Sequence, residues 1–154
     1  RPRGTAREWG AMAACLAGGL LLGLGAMRTQ SPLMETTQDG LVARGALARS
    51  LETKLAADTP GAVRIGVSFR DQAGDFCRTF TLTHAQTAGL ACKSSDGWRV
   101  AMTTHAAAQT SEMRMAGAET PPAIVAAIEA SIAGEPFDAA AEARARAARW
   151  RAVR

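Results

Sequence analysis

Cys77 and Cys92 are the residues whose types and spacing most clearly suggest chemistry. They fall on two successive predicted strands, and a hairpin folded about His84 and Ala85 would place them opposite each other. Directly opposed residues have Cβ atoms about 4.5–5.5 Å apart, close to the range of a disulfide. In an oxidising compartment we expect this bond to form and to stabilise the domain by about 3 kcal/mol.

Two other states of this cysteine pair stay open, namely two inert reduced thiols and a redox-sensing pair. Cys77 shares a strand side with Thr79 and Thr81, so the bridge is expected on the less buried face unless a bulge shifts the register. The dipeptide His84-Ala85 is a poor tight turn, and a longer loop would move the pairing by a residue or two.

The sequence predicts neither a metal site nor a catalytic site. Cys77, Cys92, His84 and His105 lack the C-x-x-C or H-x-x-x-H spacing of structural zinc sites, and both histidines are interpreted as solvated. No set of nucleophile, base and oxyanion donor can be assembled from named motifs. We therefore expect a non-enzyme without a cofactor.

Four arginines lie on or beside predicted strands, where they could line one sheet face and bind an anion: Arg64, Arg70, Arg78 and Arg99. The favoured interpretation is a solvated face with aspartates nearby. Trp98 follows a turn at Asp96-Gly97 and is interpreted as a core residue rather than a platform for a ligand.

Alternation of apolar and polar residues predicts an antiparallel meander of four or five strands. The strands are predicted at residues 63–70, 76–83, 88–93 and 98–102, with 112–116 as a short fifth. On the first and the fourth of these strands the apolar residues are expected to share one face: Val63, Ile65, Val67 and Phe69, then Trp98, Val100 and Met102.

Three helices accompany this meander in the predicted α+β fold, one before it and two after it. The first covers residues 41–57 with a stripe of Leu47, Leu51 and Leu55. The second is capped by Thr120 and closed by Gly134, with a stripe of isoleucines: Ile124, Ile128 and Ile132. The third has an Asp138 cap and a Glu142–Arg146 pair.

A single transmembrane helix is predicted ahead of this domain, at residues 9–27, which carry no charge. At 1.5 Å per residue this helix would be about 28 Å long, enough for the hydrocarbon core of a bilayer. The residues expected to anchor it are Trp9, Leu20, Leu21, Leu22 and Leu24. Three arginines precede the span and one follows it, so the N-terminus is expected in the cytoplasm and residues 28–154 in the periplasm.

A cleaved signal peptide, cut near residues 23–26, is the alternative to a permanent anchor. The expected organisation is a cytoplasmic flank (1–8), the span (9–27), a connector (28–40), the α+β domain (41–150) and a basic tail (151–154). The net charge of +4 owes much to arginines at the two chain ends. Because the body has no positive excess, we expect no direct contact with nucleic acid.

Several runs of this sequence resemble the extracytoplasmic region of single-pass anti-sigma factors, which sit beside extracytoplasmic-function sigma factors in alphaproteobacteria. The resemblance covers about residues 9–150 and is carried by Val-Arg-Ile-Gly-Val-Ser-Phe-Arg-Asp, Phe-Cys-Arg-Thr-Phe, Gly-Leu-Ala-Cys, Asp-Gly-Trp-Arg-Val and the segment 121–142. It implies an inner-membrane regulator whose sigma-binding domain lies upstream of Arg1 and is missing here. The partners implied are membrane lipid, a sigma factor and a periplasmic protein or protease.

A different class of function stays open beside this one. An exported module, freed by signal cleavage or anchored to the membrane, would bind a periplasmic ligand without regulating transcription. An enzyme of unknown reaction has the weakest support, since no catalytic set is found.

Overall fold

The structure, a computed structural model, describes residues 32–106 and 120–151. The chain divides into two compact units, residues 1–31 and residues 32–154. All described residues belong to the second unit. Its described residues form six strands and three helices, in the order β1 (Met34–Thr37), β2 (Gly40–Ala43), α1 (Gly45–Thr53), β3 (Val63–Arg70), β4 (Phe76–Leu82), β5 (Thr87–Ser94), β6 (Gly97–His105), α2 (Pro122–Ser131) and α3 (Ala139–Ala147).

All six strands form one antiparallel sheet with the order β1-β2-β6-β5-β4-β3. The predicted α+β class and the meander from β3 to β6 are confirmed, and each strand there is bounded within a few residues of its predicted position. The predicted fifth strand at residues 112–116 lies outside the described residues.

Two strands, β1 and β2, are not predicted from the sequence. They occupy the segment that is predicted as a connector and as the start of the first helix. The last pair of this hairpin is Thr37 with Gly40, which leaves Gln38 and Asp39 as a two-residue loop. Gly40 has a φ of +114°, which side chains other than glycine rarely adopt. The Asp39-Gly40 dipeptide thus repeats the turn chemistry of Asp96-Gly97, where the predicted turn is confirmed.

The first helix is shorter than predicted, because it begins only after β2 and ends at Thr53. Leu47 and Leu51 are fully buried, whereas Leu55 lies beyond the helix end. In α2, Pro121 takes the capping position expected for Thr120, without a side-chain hydrogen bond. In α3 the Asp138 cap is confirmed, since its carboxylate accepts a 2.6 Å hydrogen bond from the Ala141 N–H.

Two β-bulges overturn the prediction that each strand keeps its apolar residues on one face. In β3 the register shifts between Ile65 and Ser68, so Val67 joins the opposite side of the sheet from Ile65. In the β5–β6 pair the shift falls between Leu90 and Ala91, and it sends Met102 to that same opposite side. An extra residue in one strand reverses the side-chain alternation beyond it.

As a result the sheet has a core on each face. The first core cluster packs beneath α1 and α3, and its largest members are aromatic or leucine residues: Leu47, Leu51, Phe76, Phe80, Trp98 and Trp150. The second core cluster packs beneath α2 and comprises Phe69, Cys77 and Leu90, with Val67, Ile128 and Ile132 against them. Burying both faces makes β4 an almost wholly buried strand.

Candidate functional site

The Cys77 and Cys92 side chains form a disulfide between β4 and β5, as the sequence predicts. The two residues are directly paired in the antiparallel register, with Cα atoms 4.0 Å apart. The connecting loop, residues 83–86, lies between the paired residues Leu82 and Thr87. Because the two cysteines lie equally far from this closing pair, they meet across the ladder.

The predicted position of the disulfide on the less buried face is wrong, since Cys77 has no exposed surface. Cys77 does share a side with Thr79, but α2 covers that side and makes it the second core cluster. Cys92 is half-buried. Of the two cysteines, only Cys92 therefore has exposed surface.

Asp71, the residue directly after β3, lies beside this disulfide. A carboxylate oxygen of Asp71 and the sulfurs of Cys77 and Cys92 all lie within 4.8 Å of one another. Asp71 Oδ1 accepts hydrogen bonds from the Ala73 and Asp75 N–H groups at 3.0 and 2.8 Å. The sequence predicts only a loop at this position, because the approach of Asp71 to the sulfurs depends on sheet register.

A buried ion pair between Arg78 and Glu142 lies on the other face of the sheet. The distance from Arg78 Nη2 to Glu142 Oε1 is 2.7 Å, and the two side chains are 0% and 5% exposed. Glu142 Oε1 also accepts from Ser68 Oγ at 2.7 Å, and Oε2 from the Ala56 N–H at 3.0 Å. The predicted Glu142–Arg146 pair is wrong, because the Glu142 carboxylate faces the core.

Each of the three guanidinium nitrogens of Arg78 donates a hydrogen bond. Its guanidinium donates to Ser68 Oγ at 2.9 Å, to the Leu51 carbonyl and to the Lys54 carbonyl at 2.7 Å. It lies 4.1 Å from the centre of the Trp150 ring. Burial lowers the pKa of Arg78 from its ordinary value, while the hydrogen bond and negative charge of Glu142 act in the opposite direction. This cluster joins α1, β3, β4, α3 and the chain after α3.

The other arginines singled out by the sequence do not form a common anion site with Arg78. Arg70 donates to the Gly74 carbonyl at 2.9 Å and stacks over Phe76 at 4.0 Å. Arg99 is exposed on β6, and Arg64 is half-buried beside a cavity of about 230 Å³ that also touches Gly66. The predicted solvated face therefore holds for Arg99 and is wrong for Arg78.

Comparison of the chain with protein-family models, curated proteins and solved structures gave no match. The function therefore has to be argued from the residues themselves. His84 in the β4–β5 loop and His105, which pairs with Thr87 at the end of β6, are both exposed and lie at the same end of the sheet, away from the disulfide in the register. Across residues 32–106 and 120–151, the cysteine–aspartate group is the one cluster with the ligand types of a metal site.

Trp98 is a core residue, as predicted, with 2% of its surface exposed. Its indole N–H donates to Glu52 Oε2 at 2.9 Å, and Lys93 Nζ reaches the same oxygen at 2.6 Å. Close by, a surface cavity of about 610 Å³ is lined by charges of both signs: Glu52, Asp75, Lys93, Arg149 and Arg151.

Within the described residues no helix is long and apolar enough to cross a bilayer. The predicted span at 9–27, with its anchor residues Trp9, Leu20, Leu21, Leu22 and Leu24, lies outside the part of the chain that the structure describes. The prediction of a transmembrane helix stays a prediction.

Proposed function

We propose that this chain is the sensor or scaffold portion of a membrane-anchored transcriptional regulator of the anti-sigma factor type, without enzymatic activity. The observation that supports it is the Cys77–Cys92 disulfide. Structural disulfides persist in oxidising compartments such as the periplasm and are rare in the cytosol. A disulfide therefore favours export of the folded domain, which the predicted span at residues 9–27 would accomplish.

In this proposal the domain acts through its connection to the membrane. Residues 28–33 lead from the predicted span into β1, an edge strand of the sheet. The β1–β2 hairpin joins the other strands through pairing of Val42 with Arg99. A ligand, partner protein or protease that favours one arrangement of the hairpin would shift the population of signalling states.

Co-expression tests this regulatory role. The full-length gene product would be purified from membranes together with the sigma factor encoded beside it, with an unrelated sigma factor as the control. Selective retention of the adjacent sigma factor is expected. If the intact membrane protein fails to retain it, the anti-sigma assignment is wrong.

Topology is tested separately with reporter fusions. Alkaline phosphatase fused after Arg151 is expected to be active and a cytosol-dependent fluorescent reporter at that place to be dark, because the positive-inside rule puts this end outside the cytoplasm. Fusions placed ahead of Trp9 serve as the control and should give the opposite pattern. A cytosolic C-terminus would contradict the compartment and the role together.

The second candidate is an exported or membrane-anchored binding module. The feature that favours it is the cavity of about 610 Å³ beside Trp150, where Arg149 and Arg151 would suit an acidic ligand while Lys93 is paired with Glu52. N-terminal sequencing of the mature protein separates the exported form of this module from an anchored protein. A mature chain that starts near Ala26 supports the exported form, and retention of residues 9–27 supports the anchor.

A further inference from the structure

We propose that reduction of the disulfide converts this place into a site for a thiophilic divalent metal ion, with Zn²⁺ or Cd²⁺ held by Cys77 Sγ, Cys92 Sγ and the Asp71 carboxylate. These three ligand atoms lie within 4.8 Å of one another while the sulfurs are still bonded together. Thiolates are preferred ligands of Zn²⁺, and a carboxylate is a common additional one.

The sheet itself brings the three residues together. Cys77 of β4 pairs with Phe69 of β3 on one side and with Cys92 of β5 on the other. Asp71 follows β3 directly, and it forms an isolated bridge with Ile132. All three ligands are therefore attached to hydrogen-bonded backbone, which keeps them together when the covalent bond is opened.

The Asp71 side chain is restrained before any metal arrives. Two backbone N–H groups, of Ala73 and Asp75, bind Oδ1, and the Asp71 N–H donates to the Asp75 carbonyl at 2.9 Å. A restrained ligand loses less conformational freedom on binding than a free one. Such hydrogen bonds to the ligand itself are typical of the supporting shell of metal sites.

The spacing suits tetrahedral coordination. Zn–S bonds of about 2.3 Å and Zn–O bonds of about 2.0–2.2 Å place neighbouring ligand atoms about 3.5–3.8 Å apart. Rotation about the Cα–Cβ bonds separates the two sulfurs to this distance without moving strands whose Cα atoms are 4.0 Å apart. Three protein ligands leave the fourth position to water, on the side where Cys92 and Asp71 are half-exposed.

The redox step needs a dithiol reductant. One of its thiolates attacks Sγ of Cys92, the half-buried cysteine of the pair, and displaces Cys77 as a thiolate. The second thiol of the reductant then attacks the mixed disulfide and releases Cys92. Two electrons and two protons pass to the protein, and the reductant leaves as a cyclic disulfide. Metal binding then displaces two protons from the thiols.

Cadmium titration tests the site in the full chain. The protein would be reduced, freed of reductant without air and titrated with Cd²⁺ against a chelator of known affinity, following the ultraviolet thiolate-to-cadmium charge-transfer absorbance. In a Cys15→Ala background, which removes the third thiol of the chain, one ion per chain is expected in the reduced protein and none in the oxidised protein. Asp71→Asn should weaken cadmium binding about ten-fold or more, and Asp75→Asn, in the same loop, should leave it unchanged.

Several results would overturn this inference. One is a folded, reduced protein without the charge-transfer band, and another is an Asp71→Asn variant that binds as tightly as the parent. Equal binding by oxidised protein would place the ion elsewhere. Circular dichroism monitors folding throughout, and a reduced chain that is unfolded and that cadmium does not refold would equally exclude the site.

Discussion

At the scale of single residues, Arg78 shows how a buried charge is accommodated in this protein. Its guanidinium has no exposed surface, yet it faces a carboxylate, a hydroxyl, two carbonyl groups and an aromatic ring. Among the described residues every buried side-chain nitrogen or oxygen has a hydrogen-bond partner. Such a cluster is sensitive to loss of one member, because the remaining charge would stay desolvated.

Replacing Glu142 by alanine is therefore expected to lower the free energy of unfolding by about 3–5 kcal/mol, the usual cost of breaking a buried pair by removing one partner. The change would leave the Arg78 guanidinium without its counter-charge. Urea unfolding followed by circular dichroism measures the effect. Glu129→Ala, at an exposed position of α2, is the matched control and should change stability by less than about 0.5 kcal/mol. If Glu142→Ala and Glu129→Ala lowered the free energy of unfolding equally, loss of the Arg78–Glu142 ion pair would not be the cause.

At the scale of elements, the bulges and the disulfide decide how β3, β4, β5 and β6 are used. The bulge in β3 brings Ser68 to the side of Arg78, where it joins the ion pair. The bulge opposite Leu90 and Ala91 brings Met102 to the side of α2. Each register shift places a side chain on the sheet face opposite to the one that strict alternation along the strand would give it.

Gly89 of β5 has no room for a side chain. A Cβ at this position would lie 2.4 Å from Phe80 Cζ and 2.9 Å from the Met102 carbonyl oxygen. Because the ring and the backbone on both sides are held, Gly89→Ala is expected to destabilise the fold by about 1–3 kcal/mol through overpacking. Thermal unfolding measures the change. Gly61→Ala, whose nearest neighbour is the flexible Lys54 Nζ at 3.3 Å, should be nearly neutral.

The contribution of the disulfide can be measured with the double variant Cys77→Ala and Cys92→Ala. With a sequence separation of 15 residues, its loss is expected to cost about 3 kcal/mol on the chain-entropy estimate. Once the parent is reduced, the free energies of unfolding of parent and variant, measured with denaturant, should converge. A parent that keeps its full stability in reductant, with the thiols shown to be free by mass, would contradict this expectation.

At the scale of the whole folded unit, both sheet faces are covered by helices and the segment directly after α3 is part of the core. Trp150 is 1% exposed, packs edge-on against Phe76 and Trp98 at 5.8 and 5.7 Å, and donates to the Glu52 carbonyl at 2.9 Å. Arg149 and Trp150 reach this place with φ values of +56° and +53°. Such conformations are uncommon outside glycine and persist where packing compensates for them.

Residues 32–154 are expected to fold without residues 1–31, because they form a compact unit of their own. Expression of the fragment should give a cooperative unfolding transition. Ending the chain at Ala148 should destabilise it by about 3–5 kcal/mol, the usual cost of deleting a buried tryptophan side chain. Ending it at Arg151 is the control. A stable fragment without Trp150 would show that the aromatic contacts are dispensable.

The α+β class, the three helices and the strands from β3 to β6 follow from periodicity, and the cysteine pairing follows from a hairpin register set nearby in sequence. Asp39-Gly40 carries the same local turn signal as Asp96-Gly97. Tertiary structure alone decided that Arg78 is buried, that Glu142 turns inward and that Asp71 meets the disulfide. Ser68 and Glu142 are 74 residues apart, and no local pattern records a contact between elements that meet only when both faces of the sheet are covered.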